Sequence, residues 1–131
     1  MSRENVEIVR RGVEAFNRRD MAAIRAVTHP QVERIEDPRY PGAQTFHGPD
    51  GVEQSVRKWW DAWDIELDPE DFIELGDQVV VTGHGHWRGQ GSDMTLTAEF
   101  ASVYEVRDDK IVRAEVFGSR QAALQAVGLR E

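Results

Sequence analysis

The sequence predicts an α+β domain in which a curved, mixed or antiparallel sheet wraps around N-terminal helices. Three observations predict it. The first half is patterned for helices and carries one short strand ending in Glu36-Asp37-Pro38. From Leu75 to Phe117 the chain reads strand, turn, strand, turn, strand, with turns at Gly76-Asp77, at 89–93 and at 107–110. Helices first and a meander second give a sheet that curls around helices and encloses a hollow. Asp37 is the acidic residue best placed to reach that hollow.

Each element has its own signal. Val6, Val9, Val13 and Phe16 recur at helical spacing and predict a first helix over 4–17. Asp20 is an N-cap for a short second helix carrying Ile24 and Val27, ended by His29-Pro30. Residues 32–37 form a strand whose period of two puts Glu33, Ile35 and Asp37 on one face and Val32, Arg34 and Glu36 on the other. Pro38, Pro41 and Gly42 then enforce a loop. Pro49 and Asp50 open a third helix, with Val52, Val56, Trp59 and Trp63 on one stripe and Trp60 at its margin. After the sheet, Ser119 caps a last helix with Ala123, Leu124 and Val127. Gly128 supplies a left-handed C′ position, and Leu129 folds back onto the last turn.

A chain of 131 residues is one domain with room for a single core. With 40% hydrophobic and 31% charged residues, its balance is that of a soluble globular domain. No apolar run approaches the ~18 residues of a membrane span. The polar start predicts no secretory segment, so a cytoplasmic location is the default. Without Cys, disulfides, thiolate catalysis and Cys-based zinc sites are excluded. The net charge of −8 opposes binding to nucleic acid or an anionic membrane. Arg10-Arg11 and Arg18-Arg19 do not alter that, because each pair sits beside Glu7, Glu14 or Asp20.

Several stretches together resemble the SnoaL-like proteins of the nuclear transport factor 2-like superfamily, which includes ketosteroid isomerases and polyketide cyclases. Phe16-Asn17-Arg18-Arg19-Asp20 resembles the junction between that family's first two helices. Glu36-Asp37-Pro38, Phe46-His47-Gly48 with Gly51-Val52, and Asp109-Lys110-Ile111-Val112 leading to Phe117 fit the same pattern, as does the ending at 123–129. The resemblance spans essentially the whole chain. It implies a cone-shaped, cystatin-like α+β fold, usually a homodimer, with a pocket between helices and curved sheet and no cofactor. A shared fold does not fix a function. In ketosteroid isomerases a strand-end Asp shuttles the proton, and Asp37 matches that position. Their two oxyanion donors fall at Gly12 and near Ser102 here, so both are missing. Such a donor is worth about 10²–10³ in rate, which argues against steroid isomerase activity.

The candidate groups each carry two readings. Asp37 is either a desolvated general acid or base, or an Asp-Pro turn residue bonded to nearby amides. In the last hairpin, Asp109 stands where Gly is usual, which leaves a longer loop as the alternative to a two-residue turn at Asp108-Asp109. The two-residue turn pairs Tyr104 with Arg113, Ser102 with Glu115 and Phe100 with Phe117 on one face. The other face then holds Ala101, Val103, Val112, Ala114 and Val116. On that register Glu115 is either a second acid/base and anchor, or part of an outward polar face. A slip of one residue exchanges the faces. His84 and His86 share a strand face at ligand spacing, but a third ligand, Glu99, joins them in only one of two registers, so no metal site is expected. Trp59, Trp60 and Trp63 offer an aromatic cage, or, better, core and pocket wall. No phosphate-binding loop and no nucleophile elbow is present.

The leading expectation is therefore a domain that binds a small apolar carbonyl compound and transfers protons without a cofactor, as isomerases and cyclases do. Asp37 and Glu115 are the catalytic candidates. Phe46, Trp59, Trp63, Phe100 and Phe117 are expected as walls, with Ser102 and Tyr104 orienting the ligand. A non-catalytic ligand-binding or dimerisation module on the same fold is the alternative. A third reading is a protein-binding subunit, which needs Trp60 and the Ala101/Val103/Val116 face exposed.

Overall fold

The computed structural model describes residues 2–129. Helices α1 (Ser2–Asn17) and α2 (Met21–Ala26) lead into β1 (Thr28–Ile35) and the short β2 (Thr45–His47). Helix α3 (Gly48–Ala62) precedes the meander β3 (Trp63–Leu75), β4 (Gln78–Gly89), β5 (Thr95–Arg107) and β6 (Lys110–Phe117), and α4 (Arg120–Ala126) follows it. The six strands form one unclosed sheet in the order β2-β1-β6-β5-β4-β3. Among the described residues only the β1–β6 pair is parallel.

Local chemistry explains most of the boundaries. Asp20 caps α2 by accepting the Ala23 N–H at 3.0 Å, and Ser119 caps α4 by accepting the Ala122 N–H at 3.1 Å. Gly128 takes φ +81°, and the Leu129 N–H returns to the Leu124 carbonyl at 2.8 Å, closing α4. Asn17 pins the end of α1 to β3: its side chain donates to the Leu67 carbonyl and accepts the Leu67 N–H, both at 2.8 Å. That exchange imitates a strand partner and gives the helix junction its reason.

Four expectations change. The first strand starts at Thr28 and runs through His29-Pro30, and β2 forms inside the stretch read as loop. Trp63 leaves the helix: its φ of −142° and ψ of 147° make it the first residue of β3. The last hairpin is shifted by one. Asp108 and Asp109 do form a two-residue turn, both with positive φ, and Arg107 pairs with Lys110. A bulge then leaves Val112 unpaired, because Val106 faces Ile111 while Glu105 faces Arg113. Tyr104 consequently faces Ala114, Ser102 faces Val116 and Glu115 faces Val103.

The core has two sides. On the concave side α1 packs Ile8 and Val9 onto Val79, Val81, Phe100 and Ala114. Nearby, Trp60 packs with Ala15, Ile24, Val32, Val52 and Val56. On the other side α4 covers Val80, Ala101 and Val103 with Ala123 and Leu124. The face proposed for a protein partner is thus covered: Trp60 is 5% exposed, and Ala101 and Val103 lie under α4.

Candidate functional site

Helices α1–α3, the concave sheet and the loop after β1 enclose a cavity of about 820 Å³. Phe16, Val56, Trp59, Trp63, Leu67 and Phe100 form much of its wall. Tyr40, in the loop, meets Trp59 edge-on with ring centroids 5.6 Å apart, so the loop roofs one end. A space of this size with apolar walls and few polar groups has the character of a small-molecule site.

The end of β1 and the two residues after it decide which polar groups enter. Val32, Arg34 and Glu36 line the cavity; Asp37 does not. Asp37 is buried, but its carboxylate accepts the Arg39 N–H at 2.9 Å and the Arg39 guanidinium at 2.9 Å. Those Arg39 bonds, opposed by burial and aided by the Gly118 amide, hold its carboxyl below the usual range. Asp37 is built as an ion-paired turn residue beside the cavity, and that is the correction to its expected position.

Glu36 occupies the position the sequence reading gave to its neighbour. Its carboxylate accepts Lys58 Nζ and Ser55 Oγ at 2.8 Å, Trp59 Nε1 at 3.0 Å and the Gln44 N–H at 3.2 Å. Burial alone would raise its pKa, yet these four donors outweigh it and keep the carboxyl below the ordinary range. A carboxylate so fully engaged has little basicity left, so Glu36 is an anchor for Lys58, Ser55 and Trp59. Arg34 joins through Nε, which donates to Ser55 Oγ at 2.9 Å.

From β5, Phe100, Ser102 and Tyr104 line the cavity, with Ala114 and Val116 beside them on β6. Burial pushes the Tyr104 phenol up, against the opposing pull of the Arg34 charge and the Ser102 hydroxyl, so it stays protonated at neutral pH. Of the other expected site residues, Trp59 and Trp63 line the cavity. Phe46, Glu115 and Phe117 do not. Phe46 is buried under the Lys58 ammonium, 5.3 Å from its ring centroid. Glu115 lies on the opposite face with Arg113 at 3.4 Å, and Phe117 packs with the α4 cluster. The bulge moved both, because one extra residue turns every later side chain on the strand over.

The strand histidines are committed elsewhere. His84 Nδ1 is 3.0 Å from Glu70 and His86 Nδ1 is 3.1 Å from Thr97. Glu99 does pair opposite His84, but its carboxylate accepts the Arg120 N–H at 2.7 Å. Among the described residues no cluster of acidic or imidazole groups is arranged to hold a metal. Nor is any described helix long and apolar enough to cross a membrane.

Arg34, Glu36, Ser55 and Lys58 are the groups the sequence reading missed as a site. Their signal was present in the alternation Val32-Arg34-Glu36, which placed the arginine and glutamate on one face together.

Solved structures share this architecture. A nuclear transport factor 2-like protein of unknown function from Burkholderia pseudomallei is 26% identical, with a TM-score of 0.81 over 98% of this chain and 99% of that one. TerC, co-crystallised with polyporic acid, is 28% identical, with a TM-score of 0.77 over 91% of this chain and 94% of the other. A nuclear transport factor 2-like protein from Burkholderia xenovorans is 24% identical, with a TM-score of 0.78 over 89% and 90% of the two chains. No curated protein matches this chain. The SnoaL-like domain family matches residues 9–114, from α1 to the middle of β6. The chain belongs to the SnoaL-like domain family of the nuclear transport factor 2-like superfamily.

Proposed function

We propose that this protein binds a flat, apolar carbonyl compound in its cone cavity. One observation carries the reading: a cavity of about 820 Å³ with Trp59, Trp63 and Phe100 in its wall and the protonated Tyr104 phenol as a donor inside it. Tyr104 donates to the ligand's oxygen, and Ser102 orients the phenol. A 28% identical structure co-crystallised with polyporic acid supports an organic ligand in this fold. The test is calorimetric titration with 2-acetonaphthone, a neutral aromatic ketone. Binding by the wild type, and its loss in Ala98→Trp, which fills the cavity from β5, is the expected result. Equal binding by both proteins would remove the cavity from the account.

Proton transfer of the isomerase or cyclase type is the second reading, and one observation favours it. Arg39 and Gly118, the two partners of the Asp37 carboxylate, both line the cavity. Release of Asp37 from Arg39 would bring a base to the cavity edge, where it could take a proton beside the bound carbonyl. Deuterium exchange at the methyl group of bound 2-acetonaphthone reads this directly. Exchange that disappears in Asp37→Asn supports it; exchange unchanged in that variant sinks it.

A further inference from the structure

The charges inside the cavity do not balance. Arg34, Arg39 and Lys58 bring positive charges to its lining, and Glu36 and Glu99 bring carboxylates. Arg39 is paired with Asp37, and Glu99 accepts the Arg120 N–H. The Glu36 carboxylate belongs to Lys58, Ser55, Trp59 and Gln44. Among the described residues no acid lies within ion-pair distance of Arg34. Its Nε donates to Ser55 Oγ, while Ser55 gives its own proton to Glu36. This relay fixes the guanidinium plane but uses one N–H of five. The terminal nitrogens have no partner among the described residues and belong to a side chain that lines the cavity.

Arg34 is half-buried, and its terminal nitrogens meet the cavity rather than protein; a partly buried charge without a partner is one that an anion can pair. Burial draws the Arg34 guanidinium pKa below its usual value while the Tyr104 and Glu36 charges oppose it, and the guanidinium remains charged. The register sharpens the picture. Arg34 pairs with Ala114 on β6, and Ala114 pairs with Tyr104 on β5, so the three form one row across the concave sheet. Two strand spacings separate the outer backbones, roughly 10 Å, and the side chain between them is a methyl group. A planar oxygenated group fits that gap, with the Arg34 fork on one side and the Tyr104 O–H on the other.

We infer that the ligand is an organic anion: an apolar, ring-sized molecule whose carboxylate, or ionised 1,3-dicarbonyl enol, presents two coplanar oxygens to the terminal nitrogens of Arg34, with Tyr104 donating to one of them. This rests on the cavity reading above and narrows its substrate class. A protein of net charge −8 selects an anion through this local charge in the cavity wall, since its overall field repels one.

The test compares 2-naphthoate, ionised at neutral pH, with the neutral 2-acetonaphthone, by calorimetry on the full chain. Charge-assisted bonds to the Arg34 guanidinium predict naphthoate binding at least about tenfold tighter. Arg34→Met should erase that preference, bringing the ratio of the two affinities to about one. Arg34→Lys, which keeps the charge but loses the fork, should keep only part of the preference. Equal affinity of the wild type for both probes overturns the anion inference and leaves the cavity reading standing, whether or not the variants fold. A preference unchanged in a folded Arg34→Met also overturns it. Failure of both probes to bind overturns both readings together.

Discussion

Glu36 and Asp37, the two residues that follow β1, are adjacent carboxylates with opposite surroundings. Glu36 turns inward onto donors from α3; Asp37 turns onto Arg39 and Gly118. Removing Arg39 leaves burial as the dominant influence on Asp37, so Arg39→Ala should raise the Asp37 pKa, as read by carboxyl-detected NMR. An unmoved titration would show that Arg39 is not what holds it down. Glu36→Gln leaves buried donors facing an amide that cannot accept from all of them. It should cost about 1–3 kcal/mol in urea unfolding, and a variant as stable as the wild type would contradict the bond network described above.

At the scale of elements, two bulges set the site. In β3 the extra residue Glu70 kinks the strand against Gly83. A Cβ on Gly83 would overlap the Asp68 carbonyl oxygen and lie 2.9 Å from the Glu70 nitrogen, both backbone atoms that a rotamer change cannot relieve. Gly83→Ala should therefore destabilise by about 1–3 kcal/mol, the range of overpacked interiors, in a denaturant melt. In β6 the extra Val112 rotates Ala114 and Val116 inward and Glu115 and Phe117 outward. The turn that starts this hairpin holds Asp108 at φ 54° and Asp109 at φ 60°. Glycine adopts that conformation at lower cost, so Asp109→Gly should stabilise by about 0.5–1 kcal/mol. A lowered melting temperature would mean that the Asp109 side chain has a role the backbone argument omits. The turn was legible from Arg107-Asp108-Asp109-Lys110; the bulge was not, since no local residue demands an extra position there.

For the whole molecule, acid stability follows from the two depressed carboxyls. A group whose folded pKa lies below its unfolded value stabilises above the unfolded value and loses that contribution as pH falls through the folded one. The ordinary values are 4.5 for Glu36 and 3.8 for Asp37, so unfolding free energy should begin to fall as pH drops through about 4.5 and continue below 3.8. Glu36→Gln should flatten the upper part of that decline. The same curve in wild type and variant would assign acid unfolding to other carboxylates. A ligand held at a hundred times its Kd should add about 2.7 kcal/mol at any pH where it binds.

The sequence by itself determined the α+β class, the helix caps at Asp20 and Ser119, the hairpin turns and the family pattern. Each depends on residues close together in the chain, whose spacing and backbone preferences survive without the rest of the molecule. It also grouped Val32, Arg34 and Glu36 together, and all three line the cavity, although the strand itself ends at Ile35. That these three turn inward belonged to tertiary structure, as did the register of β6, the exit of Trp63 from its helix and the lone charge of Arg34. Faces and registers are settled by what packs against them: α1 and α3 on one side, α4 on the other, and a one-residue bulge that reverses every side chain after it.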